Sequence, residues 1–129
     1  MRRRLLTDHS GFTLIEIICV LVLLATIASV AISRMAALDQ SASRQMLRSC
    51  LSELNSRENM TWSQVKLSQA GWVDDATLFA QVSTLLGPEY QWAASPTVAG
   101  GGIRFKDQTL ALVREASTAG KAGLWKEGS

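Results

Sequence analysis

Side chains that could carry catalytic chemistry are few and scattered in this 129-residue sequence. The one histidine, His9, precedes a long apolar run, so a site built from several histidines is excluded. Asp74 and Asp75 stand before an apolar helical pattern, which favours a helix start over a pair of catalytic carboxylates. The three glycines at residues 100–102 lack the spacing and the Lys-Ser/Thr pair of a phosphate loop, and they are interpreted as a flexible turn.

Metal and disulfide chemistry is equally weakly indicated. Four carboxylates are conceivable Ca²⁺ ligands, but their spacing predicts no site: Asp74, Asp75, Glu89 and Asp107. Cys19 and Cys50 are separated by roughly 46 Å if one helix joins them, so they cannot bridge within one chain. We therefore predict no catalytic residues, no metal ligands and no cofactor, and we do not expect an enzyme.

One acidic residue, Glu16, stands in an unusual place. Residues 12–33 contain no other formal charge, and a helix of these 22 residues, roughly 33 Å long, can span a bilayer core. A carboxylate in the middle of a membrane helix costs about 2.5–3.5 kcal/mol, and less near an end, so its presence predicts a compensating partner. Because the segment contains no basic residue, that cation must come from elsewhere. The alternative is that the side chain snorkels towards the lipid headgroups.

The flanks of the apolar segment predict its orientation and leave three processing routes open. Arginines at positions 2–4 predict a cytoplasmic amino terminus, with the chain from Arg34 onwards on the other side of the membrane. Signal peptidase could cut after Ala31. A lipoprotein signal ending at Cys19 is disfavoured, because two isoleucines precede that cysteine where a small residue is expected. In the third route the segment is a permanent anchor, cut if at all on the cytoplasmic side.

The stretch GFTLIE at residues 11–16, after a short basic leader and before an apolar helix, resembles the processing site of type IV pilins and pseudopilins. In that family a membrane-embedded prepilin peptidase cuts after the glycine and methylates the new amino terminus. The resemblance implies cleavage between Gly11 and Phe12, N-methylation of Phe12, and removal of residues 1–11 together with His9. It also implies that Glu16 is the residue used in assembly.

The same resemblance supplies a cation for Glu16. Cleavage creates an amine at Phe12, which stays protonated when methylated, and a staggered neighbouring subunit can place its amine beside this carboxylate. Pairing within one helix is the alternative, since residues 12 and 16 are one turn apart. The implied partners are prepilin peptidase, other pilin-like subunits and an inner-membrane assembly platform. The implied location is a single pass through the bacterial inner membrane, with the C-terminal part periplasmic and incorporated into a filament.

Periodicity predicts the elements that must present this segment. Apolar residues recur every three or four positions after the membrane segment, with Leu47 and Leu51 beside them: Met35, Leu38, Ala42, Met46, Cys50 and Leu54. The helix is predicted to continue along this stripe and to end near residues 57–60. The predicted organisation is a leader at 1–11, a transmembrane part at 12–33, an amphipathic continuation at 34–58 and a small globular periplasmic part at 59–129.

The globular part is predicted to cover the amphipathic half of the helix. A second short helix starts at Asp74 or Asp75 and ends before residues 87–88, a Gly-Pro pair. The remaining pieces are an extended segment at Tyr90 and Trp92, a loop over 95–102, a hairpin formed by 103–106 and 110–113, and a Gly-rich tail from Ser117 that closes on Trp125. The predicted fold class is therefore α+β: a long N-terminal helix packed on a small part with a short helix and a small antiparallel sheet.

The resemblance implies a structural subunit of a type IV pilus-like filament. The sequence has no cysteine pair near its end and has Ser33 about where major pilins commonly carry a proline, which favours a type II secretion pseudopilin or a minor pilin. One alternative is a signal-anchored or secreted periplasmic binding module or enzyme. Another is a competence pilus subunit for DNA uptake. Beyond residue 11 the chain has ten basic and ten acidic residues, so a nucleic-acid partner is not expected.

Overall fold

The computed structural model describes residues 11–129. The elements are α1 (Leu14–Leu67), α2 (Asp75–Phe79), β1 (Tyr90–Thr97), β2 (Gly100–Phe105), β3 (Gln108–Glu115) and β4 (Leu124–Glu127). The four strands form one antiparallel sheet in the order β1-β2-β3-β4. The predicted α+β class is confirmed. The chain divides into two compact units within α1, the first ending at Leu38 and the second comprising Asp39–Ser129.

In the first unit, α1 presents an apolar surface on all sides. It contains an 18-residue window long and apolar enough to cross a membrane, and none of that window is buried inside the protein. The hydroxyl groups of this stretch bond to the helix itself: Thr26 Oγ1 donates to the Leu23 carbonyl at 2.8 Å and Ser33 Oγ to the Ser29 carbonyl at 3.2 Å. Because these polar atoms have partners in the helix, the segment suits an apolar environment.

In the second unit, α1 runs to Leu67, so the predicted helix end near residues 57–60 is wrong. The extra turns are anchored by the tail of the chain. Trp62 Nε1 donates to the Thr118 carbonyl at 2.9 Å and Lys66 Nζ to the Ala119 carbonyl at 2.7 Å. These contacts between residues distant in sequence outweigh the weak periodicity of the last turns.

The buried face of α1 agrees with the predicted stripe in part. Cys50 and Leu54 of the stripe are buried, together with Leu47, which lies beside it, and the face also includes Ser43 and Glu58. Met35 and Leu38, which the periodicity placed on the buried face, are each 69% exposed. The pattern missed part of this face because it counted only apolar residues, whereas two polar residues, Ser43 and Glu58, lie on the face that packs against the sheet. Met35 and Leu38 belong to the first unit, which ends at Leu38.

The core joins α1 to one face of the sheet. Its buried members are Leu47, Cys50, Leu54, Ile103, Phe105, Leu112 and Trp125. The Trp125 ring lies 6.1 Å from that of Trp92 and 6.3 Å from that of Phe79, both in tilted arrangements. Fully burying a side chain of this size contributes roughly 1.5–3 kcal/mol, so the core accounts for the attachment of the sheet to the helix.

The sheet is more regular than the sequence pattern predicts. Residues 95–102 form no loop: β1 continues through Thr97 and β2 begins at Gly100, leaving a two-residue turn. Gly100 has a φ of +142°, and a Cβ there would lie 2.2 Å from the Leu112 carbonyl oxygen. A Cβ on Gly101 would lie 3.1 Å from the Trp92 ring. The glycines are therefore needed for close approach inside the sheet and not for a flexible turn. The predicted hairpin of β2 and β3 is confirmed.

The second helix starts where it was predicted and ends earlier. Asp74 is its N-cap and accepts a hydrogen bond from the Thr77 amide at 2.7 Å. The helix ends at Phe79 and does not reach the residues before Gly87-Pro88, so that part of the prediction is wrong. Arg57 donates to the carbonyls of Ser83 and Leu85, which holds the following segment in a non-helical course. The tail from Ser117 ends in β4, which pairs with β3.

Candidate processing and assembly site

The first turn of α1 forms a reciprocal cap around Glu16. The Thr13 amide donates to Glu16 Oε2 at 2.9 Å, and the Glu16 amide donates to Thr13 Oγ1 at 3.3 Å. This is a capping box, in which the residue before the helix and the third helical residue satisfy each other's backbone donors. Sequence reasoning missed it, although Thr13-Leu14-Ile15-Glu16 has the required Thr-x-x-Glu spacing.

Gly11 and Phe12 lie just outside this cap, in a short segment without regular secondary structure before Leu14. Phe12 is 82% exposed. A Cβ on Gly11 would meet nothing within 4 Å among the described residues. Packing among the described residues therefore does not require a glycine here. Cutting between residues 11 and 12 would leave both capping hydrogen bonds intact, because their atoms belong to Thr13 and Glu16.

The cap uses one oxygen of the Glu16 carboxylate. Within the part of the chain that the structure describes, Oε1 accepts no hydrogen bond, whereas Oε2 is held by the Thr13 amide. Among residues 11–38 the one cationic side chain is Arg34, which is 18 positions away along the helix. A carboxylate oriented by its own helix, with one free oxygen, can accept a proton donor from outside the chain. The leader arginines and His9 lie outside the described residues.

A second set of charges lies in the second unit, Asp39–Ser129, which we call the globular unit, and its members pair with one another. Arg114 on β3 lies between Glu58 on α1 and Asp75 on α2. Its Nε donates to Glu58 Oε1, and its Nη1 and Nη2 donate to the Asp75 oxygens at 2.8 and 2.9 Å. Trp125 Nε1 also donates to Glu58 at 3.1 Å, and Ser117 donates to Asp75 through both its amide and its hydroxyl. We call these five residues the buried ion cluster.

The buried ion cluster is a structural device. Burial by itself raises the pKa of Asp75, but hydrogen bonds from Arg114 and Ser117 and the guanidinium charge lower that pKa to about 2. Burial by itself lowers the pKa of Arg114, but the hydrogen bonds that its guanidinium donates to Asp75 and Glu58, and their negative charges, more than reverse this and raise the pKa. No buried side-chain nitrogen or oxygen among residues 11–129 lacks a hydrogen-bond partner. The buried polar atoms of the cluster are thus all paired within the chain.

Sequence reasoning expected the acidic pair to start a helix, and the structure gives the two residues different roles. Asp74 caps α2, whereas Asp75 belongs to the buried ion cluster. A signal for the cluster was present: Leu110, Leu112 and Arg114 alternate along one strand, so a strand with an inward leucine also turns its arginine inward. Such a buried guanidinium predicts acidic partners.

The residues considered for metal or disulfide chemistry do not come together. Among residues 11–129 no group of three or more His, Cys, Asp or Glu side chains is arranged to hold a metal ion. Glu89 and Asp107 line a polar depression that also contains basic side chains. Cys19 is exposed and Cys50 is buried, and both are free thiols. Burial raises the pKa of the Cys50 thiol.

Comparison with known proteins agrees with the geometry at the start of α1. Residues 6–32 match the model of the prokaryotic N-terminal methylation motif, which is the prepilin cleavage motif of type IV pilins and pseudopilins. The match includes Gly11, Phe12 and Glu16, and it confirms the resemblance. No curated protein and no solved structure matches the chain. The motif supports a pilin-like or pseudopilin subunit, and it implies processing by prepilin peptidase and assembly with other pilin subunits.

Proposed function

Since residues 6–32 carry the prepilin cleavage motif, we propose that the protein is a structural subunit of a type IV pilus-like filament. The observation that carries the proposal is the motif match together with the geometry of Glu16. Its carboxylate is fixed by the Thr13 amide on one oxygen and open on the other. An acid held in this way at the start of an exposed apolar helix is suited to receive a cation from another subunit.

In the proposed mechanism, cleavage after Gly11 converts the Phe12 amide nitrogen into an amine, which is methylated and remains protonated. The amine of an incoming subunit then pairs with the free Glu16 oxygen of a subunit already in the filament. Close packing of the apolar helices supplies most of the cohesion, since lipid is as apolar as the helix surface and the gain comes from contact. The charge pair sets the register between neighbouring helices.

The finer assignment that we propose is a type II secretion pseudopilin or a minor pilin. Two features support it over a major adhesive pilin. The two cysteines do not form a disulfide, and neither lies in the C-terminal region. The apolar first part of α1 continues through Ser33 and contains no proline. The protein would sit in the bacterial inner membrane in a single pass, with the globular unit in the periplasm and an inner-membrane platform assembling it.

We further propose that the protein acts by assembly and not as an enzyme. The charged groups of its globular unit support this proposal. Those that are buried form the buried ion cluster, in which each carboxylate has a cationic partner. A periplasmic enzyme anchored by the same helix is the competing class, and it needs no methylated amino terminus.

Mass spectrometry of the mature amino terminus tests this function. Methylated Phe12 is the expected result. A mature chain starting at Ile32, or one that retains residues 1–11 in a working assembly, would overturn the proposal.

Two substitutions at Glu16 separate its charge from its capping role. Glu16→Gln keeps an oxygen that can accept from the Thr13 amide but removes the charge, whereas Glu16→Ala removes both. If the charge pair directs assembly, both variants should insert into the membrane and be cleaved, and both should be lost from filaments to a similar degree. Incorporation of either variant at the normal level contradicts the pairing role. Glu53→Ala is the matched control, because it removes an exposed carboxylate from the same helix.

A further inference from the structure

The globular unit has a groove between α1 and the first residues of β3. Its volume is about 270 Å³. Arg44, Leu47 and Arg48 line it from α1, and residues 108–110 line it from β3. Leu47 is buried, whereas both arginines are exposed. All of these residues belong to the globular unit, so the groove is formed within one compact body.

The strand that borders the groove is open on one side. β4 pairs with β3 from Leu112 to Glu115, and the Gly128 amide adds one hydrogen bond to the Ala111 carbonyl at 2.8 Å. Residues 108–110 have β2 on one side and, in the described part of the chain, no strand on the other. At about 3.3 Å per residue, this open edge is about 10 Å long. It can therefore pair with two or three residues of an added strand.

Thr109 is the residue whose backbone groups face the groove. Successive residues of an antiparallel strand turn their amide and carbonyl groups to alternate sides. The Arg114 amide donates to the Ala99 carbonyl on the side of β2, whereas the Ala111 carbonyl accepts from the Gly128 amide on the side of β4. Thr109 lies two residues before Ala111, so its N–H and C=O point to the β4 side. Among residues 11–129 no backbone group outside the sheet bonds to Thr109, and an added strand can therefore pair with it.

The groove also carries an excess of positive charge. Two of its lining residues, Arg48 and Glu127, pair with each other at 3.0 Å. Arg44 lines the same groove and is in no ion pair with another residue of 11–129. Asp107 in the preceding turn lines a different depression, which it shares with basic side chains. The uncompensated guanidinium of Arg44 thus favours a ligand that carries a carboxylate.

We propose that this groove binds an extended acidic segment of a partner protein. The segment adds a short strand beside residues 108–110, pairs its backbone with Thr109 and places a carboxylate against Arg44. In strand addition, main-chain hydrogen bonds give affinity and side-chain contacts give specificity. Alternate side chains of the added strand face α1, so an acidic and an apolar residue two positions apart contact Arg44 and Leu47. The inference concerns the globular unit alone and does not rest on the proposed function.

Selection from a peptide library tests the class of ligand. Random heptapeptides displayed on phage are selected on the full-length chain in detergent. The enriched sequences should contain Asp or Glu with an apolar residue two positions away. A labelled peptide of this kind should bind the wild type about tenfold more tightly than Arg44→Glu, as close interfacial charge pairs do.

Lys121→Glu is the matched control for the charge reversal. It reverses an exposed charge that pairs with Glu115 at the far end of β3, and it should leave peptide binding unchanged. A selection that enriches no acidic sequences overturns the proposal, as does equal binding to the wild type and to Arg44→Glu.

A substitution at Thr109 separates strand addition from the binding of a carboxylate alone. Thr109→Pro removes the amide that faces the groove and no hydrogen bond to β2, which is the kind of edge position where a strand tolerates proline. Thr109→Val is the matched control, because it keeps the amide and removes the hydroxyl. Peptide binding should weaken by about fivefold in Thr109→Pro, the value of one hydrogen bond, and stay unchanged in Thr109→Val.

Hydrogen exchange of the wild-type chain gives a readout that needs no variant. Saturating peptide should slow exchange of the Thr109 amide and leave the Leu110 amide, which faces β2, unchanged. If a peptide binds through Arg44 and exchange at Thr109 does not change, the groove is a site for anions only, and the proposed strand addition is wrong.

Discussion

Two carboxylates on α1 are held in different ways in the two units of the molecule. Glu58 is fully buried, and its partners Arg114 and Trp125 come from the same chain. Glu16 is exposed, and the chain occupies one of its oxygens through the Thr13 amide. Both residues interrupt an apolar pattern, so composition alone does not distinguish them.

The two carboxylates differ in whether the chain itself supplies their partners. Around Glu58 the cation, the indole and the carboxylates are all within the chain, and the cost of burying charge is offset locally. Around Glu16 a compensating cation is required if the helix enters an apolar environment, and the described residues of the first unit place none beside it. The globular unit thus pairs its buried charges within the chain, whereas the chain occupies only one oxygen of Glu16.

The strongest test of the buried pairing is Arg114→Met. The substitution leaves Glu58 buried without its cation, which should destabilise the globular unit by about 3–5 kcal/mol. Urea unfolding of the full chain in detergent, followed by tryptophan fluorescence, measures the loss. Arg48→Met is the control, since Arg48 belongs to an exposed pair and should cost less than about 1 kcal/mol. Equal losses of unfolding free energy in the two variants would show that the buried ion cluster stabilises the protein no more than an exposed ion pair does.

The next largest effect is expected at Gly123. A Cβ there would lie 2.6 Å from Arg114 Nη2 and 2.8 Å from Glu58 Oε2, so alanine should push the ion pair apart. Overpacking of this kind costs up to about 3 kcal/mol. Gly120→Ala is the matched control, because a Cβ at Gly120 meets nothing within 4 Å among the described residues. The same unfolding measurement applies, and a Gly123→Ala variant as stable as its control would contradict the close packing.

Acid should weaken the cluster in a defined window. The pKa of Asp75 falls from 3.8 to about 2 on folding, so the unfolded chain binds the proton more tightly. The stabilisation is therefore fully present above pH 3.8 and is lost as the pH falls towards 2, and it amounts to about 2 kcal/mol. The stabilisation is measured from unfolding free energies between pH 5 and pH 2. The difference in unfolding free energy between the wild type and Asp75→Asn should shrink as the pH falls over this range. A constant gap would show that the carboxylate is not held as an anion.

Sequence information was sufficient for the parts of the molecule that depend on local pattern. The methylation motif, the class of fold, the start of α2 at Asp74 and the β2–β3 hairpin each follow from residues close together in the chain. The errors concern contacts across the chain. The extra turns of α1 depend on Trp62 meeting the tail, and the Gly100 segment is a strand because Leu112 lies against it. Residues distant in sequence supply both constraints, so no local pattern could reveal them.

The smallest predicted effect tests whether the cap at Glu16 is independent of its role in assembly. Thr13→Val removes the hydroxyl that accepts a hydrogen bond from the Glu16 amide. Loss of such a cap costs about 1 kcal/mol of local helix stability. Hydrogen exchange of the Glu16 and Ile17 amides, which both bond to Thr13, should accelerate by about fivefold in detergent. Thr26→Val is the matched control, because the Thr26 hydroxyl bonds to a carbonyl within the helix and caps no amide. If Thr13→Val frays the first turn yet enters filaments normally, the charge of Glu16 acts without the cap. If incorporation falls in proportion to the fraying, the helix must hold the carboxylate in place before a neighbouring amine can bind it.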